Sequence, residues 1–131
     1  MKRSEMREQA FFLAFENLFD NGENIDELME LYSENVCELS DYAKSVFKGI
    51  SENKEELNST INTYSKSWKA SRLPKVSLAI LYVALYEICY VEEVPDSVAI
   101  NEAVELAKKY AASEDASFIN GILGAVARGR K

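Results

Sequence analysis

The feature that most constrains the fold is a long apolar run near the middle of the chain. Residues 76–91 read VSLAILYVALYEICYV, and only Ser77 and Glu87 interrupt the apolar side chains. A membrane-spanning helix needs about 20 such residues, so this run is too short to cross a bilayer. A helix that is apolar on nearly all sides has to be covered by other elements. The run therefore predicts the buried centre of a helical bundle, and it indicates no membrane association.

The rest of the chain also has the pattern of helices. Gly and Pro are scarce, at 5 and 2 of 131 residues, and no segment shows the sustained polar–apolar alternation of a strand. The length fits one domain over residues 1–131 with a core of its own. Periodicity and turn signals predict an all-α fold with helices at about 3–19, 24–35, 41–50, 53–64, 75–91 and 95–110, and a last one from 113.

Short polar residues and glycines mark the expected helix boundaries. The pair Asn21-Gly22 is expected to close the first helix, and Gly49 the third. Trp68 falls in a short connecting turn before Pro74, which precedes the apolar helix. In a capping box, a polar side chain and a glutamate three residues later bond to each other's backbone N–H groups. Two pairs have this spacing, Asn24 with Glu27 and Asn53 with Glu56.

The net charge of −7 is distributed unevenly. Residues 11–60 contain twelve acidic residues and three lysines, whereas residues 61–91 contain four basic residues and one acidic residue. One part of the surface is therefore expected to repel phosphate and another to be mildly basic. Nucleic-acid affinity depends mainly on phosphate contacts, and this chain offers few cations for them. Taken alone, the basic residues are more simply explained as solvated helix faces.

Two features, on the first and the last helix, point to an anion or a base. Arg3 and Arg7 continue the row of Phe11 and Phe15 toward the N-terminus of the first helix, where cations oppose the helix macrodipole at a cost of about 0.3–1 kcal/mol each. An external anion would explain them. Phe118 lies about 90° from the centre of the apolar stripe of the last helix, so it is expected at the edge of that stripe. There it can stack on an unpaired base, although packing against the first helix explains it equally well.

Several kinds of enzyme site are not expected. The chain has no histidine, which rules out Ser-His-Asp and Cys-His arrangements, and it has no glycine-rich nucleotide loop. A glycosidase-like carboxylate pair is not ruled out, but the carboxylates are expected on solvated faces. Cys37 and Cys89 form no C-x-x-C pair, so we expect two buried thiols and neither metal nor cofactor. The missing motifs predict a protein that is not an enzyme. Residues 1–7 do not resemble a secretory signal, which predicts a cytoplasmic protein.

Four segments together resemble the NusB family. VPDSVAINEAVELAKKY followed by FINGIL resembles its C-terminal signature, AILYVALYEI its central helix, and REQAFFLAF its opening helix. The resemblance implies an all-α fold of about seven helices in two small bundles. It also implies a transcription antitermination factor that binds the boxA RNA of ribosomal RNA operons together with the ribosomal protein NusE, within the RNA polymerase antitermination complex. Some relatives dimerise, which leaves a homodimer open.

The resemblance also implies which residues contact RNA. Lys2, Arg3 and Arg7 are expected to face phosphate, and Phe118 to stack against a base. The remaining expected RNA contacts are Phe15 on the first helix, Lys75 and Ser77 at the start of the central helix, and Glu114 and Ser117 beside Phe118. The NusE contact is expected on a neighbouring face of the central and C-terminal helices, with no residues assigned.

The sequence departs from the family pattern at the N-terminus. Many members have an arginine-rich run there, whereas this chain has KRSEMRE, with Glu5 and Glu8 among the cations. This departure leaves open a protein-only interaction module of the same fold with little RNA binding of its own. The accessory domain fused to RNA methyltransferases is a third alternative, which is not expected because no methyltransferase sequence is present.

Overall fold

The computed structural model describes residues 1–19, 24–66 and 68–130. Within these ranges it contains seven α-helices and one 3₁₀ turn, at Ala70–Arg72. The all-α prediction is confirmed. The helices are α1 (Arg3–Phe19), α2 (Ile25–Asn35), α3 (Asp41–Glu52), α4 (Lys54–Tyr64), α5 (Lys75–Tyr90), α6 (Asp96–Tyr110) and α7 (Ser113–Gly129).

Helix α5 is the centre of the bundle, as its apolar sequence predicts. It packs against α1 and α3, and against α6 and α7, which also pair with each other. Ile80, Leu81 and Leu85 are fully buried along it. Because the neighbouring helices cover it on nearly all sides, polar residues on α5 are either at its ends or inside the core. Across the described ranges, no helix has the length and apolarity that crossing a bilayer requires.

Helix boundaries are close to those predicted, but some of the signals act differently. Asn24 makes no side-chain cap, and Asn53 Nδ2 donates to the Gly49 carbonyl at 2.8 Å, so it closes α3 instead of opening α4. Both predicted capping boxes are therefore wrong. Ser40 is a cap that the prediction missed, since its Oγ accepts from the Ala43 N–H at 3.1 Å. The predicted stop at Asn21-Gly22 lies outside the described residues.

Gly49 does not end α3, which continues to Glu52. The glycine is required by packing, because a Cβ atom there would overlap the ring of Tyr86 on α5. The lack of a side chain thus lets α3 and α5 approach closely. From the sequence alone, a glycine with this role cannot be distinguished from one that ends a helix.

Two predictions about burial are also wrong. Cys37 is exposed and Cys89 is half-buried, so the two thiols are not both core residues. The apolar residues of α6 have helical spacing, which predicts one buried stripe. Ala99, Ala103, Leu106 and Ala107 are buried, but Tyr110 is exposed, and its hydroxyl donates to Glu8 Oε2 on α1 at 2.8 Å.

Candidate nucleic-acid interface

The first turns of α5 and α7 line one cleft of about 430 Å³, together with the connection that precedes α5. Pro74 fixes where α5 begins, because proline has no N–H to extend a helix backwards. The Asp115 carboxylate accepts from the Ala112 N–H at 3.2 Å and so orders the start of α7. We call this the Phe118 cleft; its lining residues are Trp68, Arg72, Leu73, Pro74, Ser77, Glu114, Asp115 and Phe118.

The cleft brings together three of the residues expected to contact RNA, namely Ser77, Glu114 and Phe118. Phe118 is half-buried beside fully buried neighbours such as Ile119, as its position at the stripe edge predicts. One side of its ring packs on the core, and the rest borders the cleft. An aromatic ring at the wall of an open cleft is a surface on which a base can stack.

Ser77 is an unusual residue of this cleft. It is 1% exposed, and its Oγ has no hydrogen-bond partner within the described residues. Leaving a buried hydroxyl unsatisfied costs about 1–3 kcal/mol. The protein itself thus leaves a donor and acceptor unused at a residue that lines the cleft.

Four cations lie at and around the connection between α4 and α5, and one of them, Arg72, lines the cleft. The side chains are all exposed, and no ion pair within the described ranges includes any of them. The four cations recur at every third position of the chain. The charge balance alone does not reveal this spacing. Arg72 and Trp68 were both missed as candidate site residues. The cations are Lys66, Lys69, Arg72 and Lys75.

Phe15 and Lys75 do not line the Phe118 cleft and belong to a second cluster. Phe15 contacts Phe19 edge-on with 5.1 Å between ring centroids, and Lys75 Nζ lies 5.4 Å from the centroid of Phe19. Phe19 is 58% exposed. The expected contacts at Phe15 and Lys75 are therefore brought to one place, at the C-terminal end of α1.

Lys2 and Arg3 are exposed at the opposite end of α1, about 24 Å along the helix axis from Phe19. The guanidinium carbon of Arg3 lies 3.9 Å from the centroid of the Tyr42 ring, a cation–π contact that holds it at the surface. The structure thus does not bring these two cations together with the Phe118 cleft.

The expectation that all three N-terminal cations face phosphate is wrong for Arg7. Its side chain is 3% exposed, and it forms ion pairs with Glu87 at 2.7 Å and Glu102 at 2.8 Å. Burial alone lowers the pKa of Arg7, but the hydrogen bond and charge of Glu87 outweigh that effect and raise the pKa. Arg7 is occupied by two carboxylates inside the bundle, because Glu87 is a fully buried charge on α5 that needs a counter-ion.

Ser117 lies on the other side of Phe118. It is exposed and lines a second cleft with Phe118, Lys66 and Arg128. In the part of the chain that the structure describes, no three metal-binding side chains are grouped to hold an ion.

Comparison with known proteins shows the family of the chain. Residues 4–128 match the model of the NusB family. The chain belongs to the NusB family. Among curated NusB relatives, the transcription antitermination protein of Acetivibrio thermocellus is 50% identical over 106 residues, which cover 81% of this chain and 72% of that protein. The one of Clostridium botulinum (strain Kyoto) is 42% identical over an alignment covering 95% of this chain and 98% of that protein. The family makes this chain a transcription antitermination factor.

Solved NusB structures have the same fold. The structure of T. maritima NusB superposes with a TM-score of 0.85 at 31% identity and covers 98% of this chain and 92% of its own. A chain from a complex of antitermination factors NusB and NusE with double-stranded RNA superposes with a TM-score of 0.84 at 27% identity, over 97% of this chain and 96% of its own. The NusB fold therefore extends over nearly the whole chain.

Proposed function

We propose that this chain binds boxA RNA together with the ribosomal protein NusE and thereby promotes antitermination in ribosomal RNA operons. The observation that carries the proposal is the Phe118 cleft, where a half-exposed aromatic ring and an unsatisfied buried hydroxyl lie beside the exposed cation Arg72 on an otherwise acidic protein. A NusB–NusE–RNA complex among the similar structures supports it. The site of action is the cytoplasm, with RNA polymerase as part of the assembly.

The groups in the cleft suit a base better than a phosphate. Phe118 offers a stacking face, and the Ser77 hydroxyl can donate to or accept from a base edge. The Glu114 and Asp115 carboxylates repel phosphate but accept hydrogen bonds from exocyclic amino groups of bases. We therefore assign base contacts to this cleft and phosphate contacts to the exposed cations Lys2, Arg3 and Lys75.

NusE is needed in this proposal because the cations are few. Arg7 is inside the bundle, which leaves Lys2 and Arg3 as the N-terminal cations near the surface. Few phosphate contacts give weak binding. A partner that adds its own contacts to the same RNA raises the affinity of the assembly without a change in this chain.

The proposal is tested with labelled boxA RNA and a scrambled RNA of equal length and composition, titrated with this chain in the presence and absence of NusE. Fluorescence anisotropy should show a preference for boxA that is larger when NusE is present. Equal affinity for the two RNAs in both conditions would contradict the proposal.

The alternative of a protein-only module has one observation in its favour, the burial of Arg7, which removes a cation from the surface. The two alternatives differ in salt dependence. Binding through several phosphates weakens steeply as salt rises, whereas binding of NusE alone need not. Light scattering after size exclusion decides whether free chains form a homodimer.

A further inference from the structure

Phe118 separates two clefts, of which the Phe118 cleft described above is one. The other lies between the C-terminal end of α4 and the outer face of α7, with a volume of about 320 Å³. We call it the Lys66–Arg128 cleft; its lining residues include Tyr64, Lys66, Phe118, Gly121, Ala125 and Arg128. Because the Phe118 ring borders both clefts, a chain that crosses the ring would occupy both.

The two clefts differ in charge. The Phe118 cleft has the cation Arg72 but also the carboxylates of Glu114 and Asp115. The Lys66–Arg128 cleft has two cations, both exposed, and no carboxylate among its lining residues. Neither cation takes part in an ion pair within residues 1–19, 24–66 and 68–130. A phosphate therefore meets favourable charge in the second cleft and mixed charge in the first.

Gly121 forms part of the wall of the Lys66–Arg128 cleft in the middle of α7. Glycine in a helix interior is less stable than alanine, so a packing reason is usually found for it. Here there is none, because a Cβ atom at Gly121 would meet no heavy atom within 4 Å. The space next to the helix backbone is open and belongs to the cleft.

We propose that the Lys66–Arg128 cleft is a phosphate-binding subsite for the RNA strand, in which Lys66 and Arg128 hold the backbone of the nucleotide adjoining the base at Phe118. The inference rests on the proposed function and extends it. RNA is the occupant because the cleft continues the aromatic wall of the base site, and because its charge is opposite to that of a phosphodiester. The open backbone at Gly121 lets the strand lie close to α7.

The first test is the salt dependence of binding to boxA RNA in the presence of NusE. Lys66→Gln and Arg128→Gln should each weaken binding about tenfold, since each removes a charge-assisted contact. The double variant should lower the slope of log affinity against log salt by about 1.4, the value for two phosphates of a single strand. The loss should be equal for boxA and scrambled RNA, because phosphate contacts carry no sequence information. Lys48→Gln, an exposed cation outside both clefts, is the matched control.

The second test uses a substitution that does not weaken the fold. Gly121→Leu places a side chain in the cleft and replaces glycine by a better helix former, so it should raise the melting temperature and lower RNA affinity. Asn120→Leu, at the next exposed position of α7 but outside both clefts, should leave the affinity unchanged. The opposite signs of the two effects distinguish a blocked site from a damaged fold.

The outcomes separate this inference from the proposed function. If Phe118→Ala weakens boxA binding while the Lys66, Arg128 and Gly121 variants behave like their controls, the subsite is wrong and the RNA function stands. If the charge variants lower affinity for NusE without RNA and leave the salt slope unchanged, the cleft is a protein contact and the inference is overturned. If wild type binds no RNA with or without NusE, both proposals fail.

Discussion

Arg7 on α1 and Glu87 on α5 form an ion pair inside the helical bundle. Arg7 Nε donates to both carboxylate oxygens of Glu87, at 2.7 and 3.0 Å, and the two side chains are 3% and 0% exposed. The Tyr42 hydroxyl on α3 also donates to Glu87. Burial and this hydrogen bond raise the pKa of Tyr42, so the phenol stays protonated as a donor. Three helices are thus joined at one buried carboxylate.

We expect Arg7→Met to lower the free energy of unfolding by about 3–5 kcal/mol, because it leaves Glu87 charged, buried and without its main partner. The double variant Arg7→Met/Glu87→Leu should recover most of the loss, since a well-packed apolar pair replaces the ions without an unpaired charge. Urea unfolding of the single and double variants measures both effects. Arg3→Met, which removes an exposed cation, is the control and should cost less than about 1 kcal/mol. Equal stability of the Arg7 and Arg3 variants would contradict the assigned role.

The helices and the central position of α5 could be predicted because they depend on local periodicity. The hydrogen-bond and ion-pair partners of polar residues could not be predicted, because they come from distant segments of the chain. Arg7 has the same spacing as Arg3 on α1, but only the fold places Glu87 next to it. In the same way, Asn53 has the spacing of a cap for α4, and its bond to Gly49 is decided by the geometry of the α3–α4 turn.

The candidate site was predictable to a similar extent. The sequence predicts Phe118 and Ser77 as contacts, and both line one cleft in the structure. Trp68 and Arg72 were missed because they lie in a connection without regular periodicity. The recurrence of cations at 66, 69, 72 and 75 was the available signal. How that connection folds against the start of α7 depends on tertiary packing, which the spacing of residues does not describe.

We predict that Phe118→Ala weakens binding to boxA RNA in the presence of NusE by about tenfold or more, since stacking of a base on an aromatic ring contributes about 1–3 kcal/mol. Phe118→Tyr keeps the aromatic face and should retain most of the affinity. Anisotropy titrations give the affinity of each variant relative to wild type, and thermal unfolding shows that each variant is folded. An alanine variant that binds as tightly as wild type would remove Phe118 from the site.

Ser77→Ala should separate binding from stability. The Oγ atom has no partner in the described part of the chain, so its removal should leave the free energy of unfolding unchanged or raise it by up to about 1–3 kcal/mol. Affinity for boxA RNA should fall if a base uses the hydroxyl. Urea unfolding and anisotropy on the same preparation check the two parts. A clear loss of stability would mean that Ser77 Oγ is satisfied in solution.

Gly49→Ala should destabilise the protein by about 1–3 kcal/mol, because the new methyl group overlaps the Tyr86 ring and either the ring or α3 has to shift. The same substitution in a Tyr86→Leu background should cost less, since leucine leaves the space that the ring fills. By contrast, Gly121→Ala should stabilise by about 0.4–1 kcal/mol, because nothing lies within 4 Å of the added atom. Thermal unfolding of these variants ranks them, and an equal effect at Gly49 and Gly121 would contradict the packing explanation.

The contact between Glu8 on α1 and the end of α6 should make part of the stability depend on pH. Burial alone raises the pKa of Glu8, but hydrogen bonds from Lys109 Nζ and the Tyr110 hydroxyl, both at 2.8 Å, outweigh it and lower the pKa. The unfolded chain then binds the proton more readily, so this contribution is present at neutral pH and is lost as pH falls through the unfolded and then the folded pKa. Because the pair is partly exposed, we expect less than about 1 kcal/mol. The stability difference between wild type and Glu8→Gln should therefore shrink in acid. A difference for Glu8→Gln that stays constant with pH would contradict the assignment.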